Sequence, residues 1–408
     1  MVSMSEHHDV VVIGGGQAGL VASRELGARG LDHVVLERDQ VGERWRTSRW
    51  DSLMFQFPND VLALPGLPYA GDDRHGFAHH TEVLRVIESY ADLVAAPIRE
   101  HTDVTAIELR EGQWYVETTE GSLQAHAVVV ATGPFQRPRL PASAAELPDG
   151  LTQLHSVDYR NPDLLPPGGV LVVGSGASGS QIAEELVEAG RATYLCVSRH
   201  RRVPRRYAGR DVTDWLVDMG VMDRSRETWV DGRMPPTVLV TGVGGGHDLD
   251  VGVIADRGAV LLGSLLGVDG DRLTLADNAE TILSAADTLY DEFVAAADEH
   301  LRTQGIDVPE PGPRPRRAPV SARTTLSLAD AGITSVVWAT GYDYDYGWLH
   351  ALCLDVAGAP VQTRGVTDVP GLYFLGLHWM HTFKSGTFMG LGDDAVHVVD
   401  HLDEYVRC

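Results

Sequence analysis

Cysteine is scarce: 408 residues contain three, Cys196, Cys353 and Cys408, far apart and odd in number. No C-x-x-C pair occurs, which excludes redox chemistry carried by two neighbouring thiols. So sparse a set suits a reducing cytoplasm. Positive charge is also short, since 33 Lys and Arg against 57 Asp and Glu leave a formal net charge of −24. That surplus repels nucleic acid and anionic lipid, so neither is expected as a partner. Long hydrophobic runs are missing too. The apolar stretch Val260 to Val268 is broken by glycine and too short to cross a bilayer. The opening MVSMSEHHD has neither the basic residues nor the apolar core of a secretory signal, and a cytoplasmic location is expected. With 44% apolar and 22% charged residues, the composition is that of a globular chain long enough for two or three domains.

Glycine, by contrast, is placed in a pattern. Residues 9–38 read DVVVIGGGQAGLVASRELGARGLDHVVLER, with Val10 to Ile13 as a short buried strand and Ala18, Val21, Ala22 and Leu26 on a following helix. Between them Gly14, Gly16 and Gly19 form G-x-G-x-x-G, interleaved with Gln17 and Ala18. Glycine there permits the tight turn, lets backbone approach a pyrophosphate and packs helix on strand. The helix start then turns unpaired N–H groups toward the phosphates. The next strand, His33 to Leu36, ends in Glu37-Arg38, with Glu37 lying 23 residues after Gly14. A carboxylate at that place can accept hydrogen bonds from a ribose diol.

The pattern recurs. Val170 to Val173 form a strand, Gly174, Gly176 and Gly179 repeat the spacing with Ser175, Ala177 and Ser178 between, and a helix carries Ile182, Ala183, Leu186 and Val187 to a stop at Gly190. The strand Ala192 to Val197 ends in Ser198-Arg199, where the first unit places its acid. An acid would repel a 2′-phosphate, whereas Ser and Arg can bind and neutralise one. This unit is therefore read as preferring NADPH. In the run Arg199, Arg201, Arg202, Arg205 and Arg206, Arg199 is the strongest phosphate candidate and Arg205 a weaker one; the others read as solvated.

The connecting segments are less specific. VGERWRTSRWDSLMFQFPNDVLALPGLPYA reads as an extended loop across a site, with Trp45, Trp50, Phe55 and Phe57 lining it or covering a core edge. Thr81 is the expected N-cap of a helix that Pro97 ends. A hairpin over Thr102 to Leu109 and Gln113 to Thr119 precedes a buried strand Ala127 to Ala131, which stops at Thr132-Gly133-Pro134. A later strand, Val336 to Ala339, stops in the same way at Thr340-Gly341. Pro235 to Gly246 reads as a loop, Ala279 to Arg302 as a long helix, and Pro309 to Pro319 as a stiff connector. His378 and His381 with Asp393 are weak metal-site evidence, and no metal is expected.

Two glycine fingerprints 160 residues apart, followed by two ATG segments, make the chain resemble the class B flavin-dependent monooxygenases, of the flavin-containing monooxygenase-like kind. The resemblance covers nearly the whole chain and is most specific in residues 9–200 and 336–392. It implies an α/β fold of two Rossmann-like dinucleotide-binding domains, with an NADPH domain inserted into a discontinuous FAD domain. The FAD domain would comprise 1–166 and 342–408, and the NADPH domain 167–341 with a partly helical insertion at about 207–320. FAD would be held by Gly14, Gly16, Gln17, Ala18, Gly19, Glu37, Arg38, Trp45, Gln56, Val104, Thr132 and Gly133. NADPH would be held by Gly174, Ser175, Gly176, Ala177, Ser178, Gly179, Ser198, Arg199, Arg205, Thr340 and Gly341.

The family signature F-x-G-x-x-x-H-x-x-x-(Y or F) is matched in part by LPDGLTQLHSVDYR, which supplies Leu147, Gly150, His155 and Tyr159 with one extra residue. Its Tyr159-Arg160 ending resembles the branch that oxidises heteroatoms. The loop that in the family holds an asparagine over the flavin has Gln56 at that place, the residue expected to position flavin and nicotinamide. Gly376-Leu377 stands where relatives carry Gly-Asp. The implied activity is NADPH- and FAD-dependent insertion of one atom of O2 into a small organic substrate through a flavin hydroperoxide, with N- or S-oxygenation favoured. The alternatives are an NADPH oxidase, a Baeyer–Villiger monooxygenase, another NADPH-dependent flavoprotein reductase, and a non-catalytic nucleotide-binding protein. Substrate, oligomeric state (a homodimer among the options) and the roles of His155, His378 and Lys384 are left open by the sequence.

Overall fold

Val10, Val11 and Val12 have no polar side to offer water, and all three are fully buried at the centre of the first of two large sheets. The computed structural model describes residues 6–228, 238–308, 310, 317 and 320–408. In its first part β1 (Glu6–Ile13), α1 (Gln17–Ala28) and β2 (His33–Leu36) lead through the aromatic-rich loop to α2 (His80–Val94). The N-cap of α2 is His79, not Thr81: the His79 ring accepts from the Thr81 amide and places Thr81 inside the first turn. Then come β3 (Ile98–Arg99), β4 (Val104–Arg110), β5 (Gln113–Thr118) and β6 (Gly121–Val130). The last is longer than expected because Leu123, Ala125 and Ala127 alternate with polar residues, so it can pair antiparallel with β5 over Gly121 to Ala125 while Leu123 to Val130 run parallel to β1.

The second part holds β7 (Thr152–His155), β8 (Gly169–Val173), α3 (Ala177–Glu188), β9 (Thr193–Cys196), α4 (Val212–Asp218), β10 (Val240–Thr241), β11 (His247–Asp248), β12 (Val260–Leu262), α5 (Ala279–Thr303) and β13 (Ile333–Trp338). The chain ends with β14 (Leu349–His350), β15 (Leu372–Phe374) and α6 (Leu391–Arg407). The first sheet runs β14-β4-β5-β6-β1-β2-β3, with β15 also pairing β6. The second runs β12-β9-β8-β13-β7 and is parallel throughout. The chain thus enters the second sheet at Thr152, ahead of residue 167. In both sheets the glycine fingerprint follows a central strand, at the edge where parallel α/β sheets bind ligands.

Two further sequence expectations change. Residues 235–237 lie outside the described residues, but Val240–Thr241 and His247–Asp248 pair as an antiparallel hairpin where a loop was expected. Its tip needs Gly244, Gly245 and Gly246, all with positive φ. The connector Pro309 to Pro319 lies outside the described residues except for Glu310 and Arg317.

The second correction concerns Arg202, expected to be solvated. It is 1% exposed, donates to Asp250 and lies 4.2 Å above the Tyr290 ring. Arg317 reaches the same Asp250 oxygen at 2.8 Å and also pairs with Asp287. Asp250 in addition caps the helix starting at Val251, accepting from the Gly252 amide at 2.9 Å. Among the described residues, no helix is long and apolar enough to cross a membrane.

Candidate nucleotide and active site

The first cradle is built by steric necessity. A Cβ on Gly14, whose φ is +113°, would lie 2.7 Å from the Ala131 carbonyl oxygen, and one on Gly19 would lie 1.9 Å from that of Gly14. A Cβ on Gly16 would meet nothing within 4 Å, because that residue faces open space. Gly16 is also the N-cap of α1 with no side-chain cap, so the first-turn amides are left for an external acceptor. Glu37 accepts from the Gly15 amide at 2.6 Å and the Asp39 amide at 2.9 Å, and each oxygen keeps a lone pair for a ribose hydroxyl. Burial outweighs these hydrogen bonds and raises its pKa. Gln17 and Ala18 open α1 and Val104 is buried in β4, while Arg38 is at the surface on Asp39 at 3.2 Å. Trp45 packs edge-on against Phe55, 6.1 Å between rings.

Sequence reasoning missed what holds the ATG segment. The Gln136 amide donates to the Thr132 hydroxyl at 3.0 Å and the Gly133 carbonyl at 2.8 Å, and its Oε1 accepts from the Asp345 amide at 2.6 Å. Arg44 donates to the Gln136 carbonyl at 2.8 Å, while Arg49 stacks 4.6 Å over Trp45. Neither arginine has a carboxylate partner among the described residues, and burial pushes the Arg49 guanidinium down to about 10. An arginine held on backbone carbonyls and a ring instead of an acid is a signal that loop sequence alone does not carry.

The second cradle repeats the first. Gly174 has φ +109°, a Cβ on Gly179 would lie 1.9 Å from the Gly174 oxygen, and Gly176 faces open space as the uncapped N-cap of α3. Ala177 and Ser178 form the first turn of that helix. Ser175 is fully buried, its hydroxyl accepts from the Ser198 amide at 3.1 Å and its carbonyl accepts from the Ser180 hydroxyl at 3.1 Å, which leaves its backbone amide for a ligand. Ser198 and Arg199 are exposed at the end of β9. Both cradles fit a dinucleotide pyrophosphate.

Arg205 does not join them. It is 2% exposed, donates to Asp211 at 2.8 Å and to the Gln56 carbonyl at 2.5 Å, and lies 4.1 Å over the Phe77 ring. A guanidinium with these partners is not free to reach a 2′-phosphate, so its expected cofactor role is replaced by an internal one. Thr340 turns its hydroxyl to the Arg139 carbonyl. The Gly341 carbonyl accepts from His155 Nε2 at 3.0 Å. His155 Nδ1 in turn accepts from the Val157 amide at 3.2 Å, which fixes the neutral tautomer, and burial lowers its pKa. His155 therefore ties the first crossing to the second ATG segment. Tyr159 is buried on Glu185, which also receives Ser52.

Gln56 lies between two aromatic residues in the sequence, Phe55 and Phe57. Phe55 meets Phe57 at 5.6 Å and Phe388 at 5.7 Å, and the Gln56 amide donates to the Val240 carbonyl at 3.4 Å. Leu377, in place of an acid, is buried. His378 packs edge-on against Phe135, and Lys384, the only lysine in the sequence, bridges Asp223 at 2.9 Å and Asp393 at 2.7 Å.

At the start of α6, Asp394 is 3% exposed, and burial pushes its carboxyl up to about 6 despite a hydrogen bond from Ser385. An acid whose folded pKa lies above its unfolded one binds protons more tightly when folded, so stability falls as pH rises between about 4 and about 6. Asp394→Asn is therefore expected to stabilise the protein by roughly 1–3 kcal/mol above pH 6 and by little below pH 4. Thermal unfolding of both proteins across that range checks it; a uniform loss of stability would contradict it.

The comparisons with known proteins fit this geometry. The pyridine nucleotide-disulphide oxidoreductase family pattern matches residues 11–216. An uncharacterized oxidoreductase, CzcO-like, of Geobacillus kaustophilus is 31% identical over 401 residues, covering 97% of this chain and 98% of its own. CzcO of Bacillus subtilis, also an uncharacterized oxidoreductase, is 27% identical over 399 residues, covering 97% and 99%. Among solved structures, a flavin-containing monooxygenase from Stenotrophomonas maltophilia superposes with a TM-score of 0.70 at 22% identity, over 98% of this chain and 99% of that one. A bacillithiol disulfide reductase from Bacillus cereus superposes at 0.62 with 14% identity, over 98% and 99%. Cys196, Cys353 and Cys408 are all free, and the first two are buried, so no thiol pair is available for disulfide exchange. The chain is an oxidoreductase belonging to the pyridine nucleotide-disulphide oxidoreductase family, with the two-dinucleotide-domain fold of the class B flavin-dependent monooxygenases.

Proposed function

We propose that the protein is a cytoplasmic FAD- and NADPH-dependent monooxygenase that oxygenates nitrogen or sulfur in a small organic substrate. The observation that carries this reading is the contrast between two otherwise equal cradles: an acid, Glu37, at one and exposed Ser198 and Arg199 at the other, with no thiol pair anywhere in the sequence. The proposal places FAD on residues 1–166 and 342–408, apart from β7, which belongs to the second sheet, and NADPH on 167–341. Bound FAD would supply two-electron chemistry with NADPH and O2, one oxygen atom going to the substrate and the other, with two protons, to water.

The chain's own residues bind and orient. Gly16 and Gly176 leave room for the two pyrophosphates. Arg199 would neutralise the 2′-phosphate, and Gln56 would present its amide to the flavin and nicotinamide. Phe55, Phe57 and Phe388 would keep water from the reacting atoms. A cavity of about 460 Å³ beside Phe388, with Val61 and Leu64 on one wall and α4 on the other, is large enough to admit a small substrate.

NADPH is expected to bleach the bound FAD without oxygen, and in air each NADPH consumed is expected to yield one N- or S-oxide with an amine or sulfide. Electrons recovered as peroxide whatever is added would make the protein an NADPH oxidase. One N–H of the Gln56 amide is engaged by Val240, which leaves its other N–H and its oxygen for the cofactors. Arg199→Ala is expected to raise KM for NADPH at least about tenfold, the loss of a charged hydrogen bond, and to leave that for NADH within about twofold. Equal changes would remove the 2′-phosphate assignment.

A further inference from the structure

Gln56 belongs to the first part of the chain, yet what holds it comes from the second. Its backbone carbonyl accepts from Arg205 Nη1 at 2.5 Å, and its side-chain amide donates to the Val240 carbonyl at 3.4 Å. Val240 leads into Thr241, which is 0% exposed and donates its hydroxyl to Gln181 Oε1 at 2.8 Å. The Gln181 amide donates at 3.1 Å to the carbonyl of Ala177, the first residue of α3 and part of the second cradle. Five residues from distant parts of the sequence thus form one line, from the second cradle through Gln181, Thr241 and Val240 to Gln56.

The β10–β11 hairpin in the middle of this line is seated firmly on both sides. On one, His247 pairs with Glu184 of α3 at 2.9 Å, an acid that also holds Arg257. On the other, a Cβ on Gly242 would lie 2.5 Å from the Phe55 carbonyl oxygen, and one on Gly246 would lie 2.5 Å from the Phe77 ring. Phe77 is the ring on which Arg205 stacks. With backbone touching backbone on one side and an ion pair on the other, the hairpin cannot shift relative to α3 without moving the loop that carries Gln56.

We propose that Thr241 and Arg205 are positioning residues that set the Gln56 amide according to whether a nucleotide occupies the second cradle. This rests on the cofactor assignment above and adds to it a physical route between the two nucleotides. A ligand on the amides of Ala177 and Ser178 fixes the first turn of α3, Gln181 transmits that fixation to Thr241, and the hairpin holds Gln56 in place. The coupling has to be reciprocal, because it is a free energy shared by two binding events.

The test is the rate at which FAD leaves the holoenzyme on dilution, followed by flavin fluorescence with and without saturating NADP+. In the wild-type protein NADP+ is expected to slow release at least about fivefold, the low end of ordinary allosteric coupling. Thr241→Val keeps size but removes the hydroxyl and is expected to cut that ratio to below about twofold, while Thr241→Ser restores it. Gln181→Leu breaks the same link from the other side and is expected to match Thr241→Val. A merely structural role would speed release equally with and without NADP+ and leave the ratio intact. NADP+ that binds and gives equal ratios in all four proteins overturns the relay alone. A wild-type protein that fails to bind NADP+ overturns the cofactor assignment, and the relay with it.

Discussion

Gly19→Ala is expected to purify with less than about a tenth of the wild-type FAD, whereas Gly179→Ala is expected to stay yellow and lose reduction by NADPH. In each case the added Cβ would lie 1.9 Å from a backbone oxygen, of Gly14 or of Gly174, a distance no side-chain adjustment can relieve. The helix must then move off its strand, and the amides of its first turn leave the pyrophosphate. Overpacking of this kind costs typically about 1–3 kcal/mol of stability, with more where backbone must give way, so both variants are expected to melt lower. What separates them is the cofactor lost. Bound FAD measured by absorbance and anaerobic reduction measured by stopped flow give the two readouts. FAD lost from Gly179→Ala and retained by Gly19→Ala would reverse the assignment of the two cradles.

Asp250→Ala is expected to cost about 3 kcal/mol, because it strips the buried Arg202 of its hydrogen-bond acceptor and leaves it only Asp287, 3.6 Å away. Arg317 loses one of its two acids and the helix at Val251 loses its cap in the same step. Burial alone would raise the Asp250 pKa, but the Arg317 hydrogen bond and the charges of Arg202 and Arg317 outweigh it and hold the group below its ordinary value. A depressed acid contributes stability above its unfolded pKa, about 4, and loses that contribution as pH falls through the folded value. The gap between wild type and Asp250→Ala is therefore expected to be full at neutral pH and to narrow in acid. Urea unfolding at pH 7 and near pH 3 measures it; a gap that does not depend on pH would mean that Asp250 acts only as a cap.

These residues also show which kinds of information local sequence carries. Val10 to Ile13 and Val170 to Val173 declare themselves as buried strands because nothing in them can face water, and Gly19 and Gly179 are required by a backbone oxygen five residues back, whereas Gly14 and Gly174 are required by Ala131 and Ala339, far along the chain. The hairpin β10–β11 was missed because its strands are two residues each and its glycines read as loop. In the arginine run Arg199 and, more weakly, Arg205 were expected to meet phosphate and the others to be solvated, but the run divides differently: Arg199 is exposed, while Arg202 and Arg205 are among the most deeply buried side chains. Arg202 is buried because Asp250 and Asp287 arrive from much later in the chain to meet it.

By itself the sequence determined the two cradles, the Glu37 and Ser198-Arg199 contrast between them, and the absence of a thiol pair, since each depends on residue type at short spacing. Only the tertiary structure decided that Arg205 supports Gln56 rather than a phosphate, that Gln136 clamps the first ATG segment, and that Thr241 and Gln181 link the second cradle to the loop of the first part. Those contacts join residues 149, 184 and 60 positions apart for Arg205 to Gln56, Gln56 to Val240 and Thr241 to Gln181. Hydrogen-bonding capacity is written in a side chain, but its partner is chosen by which distant backbone the packed sheets bring within about 3 Å.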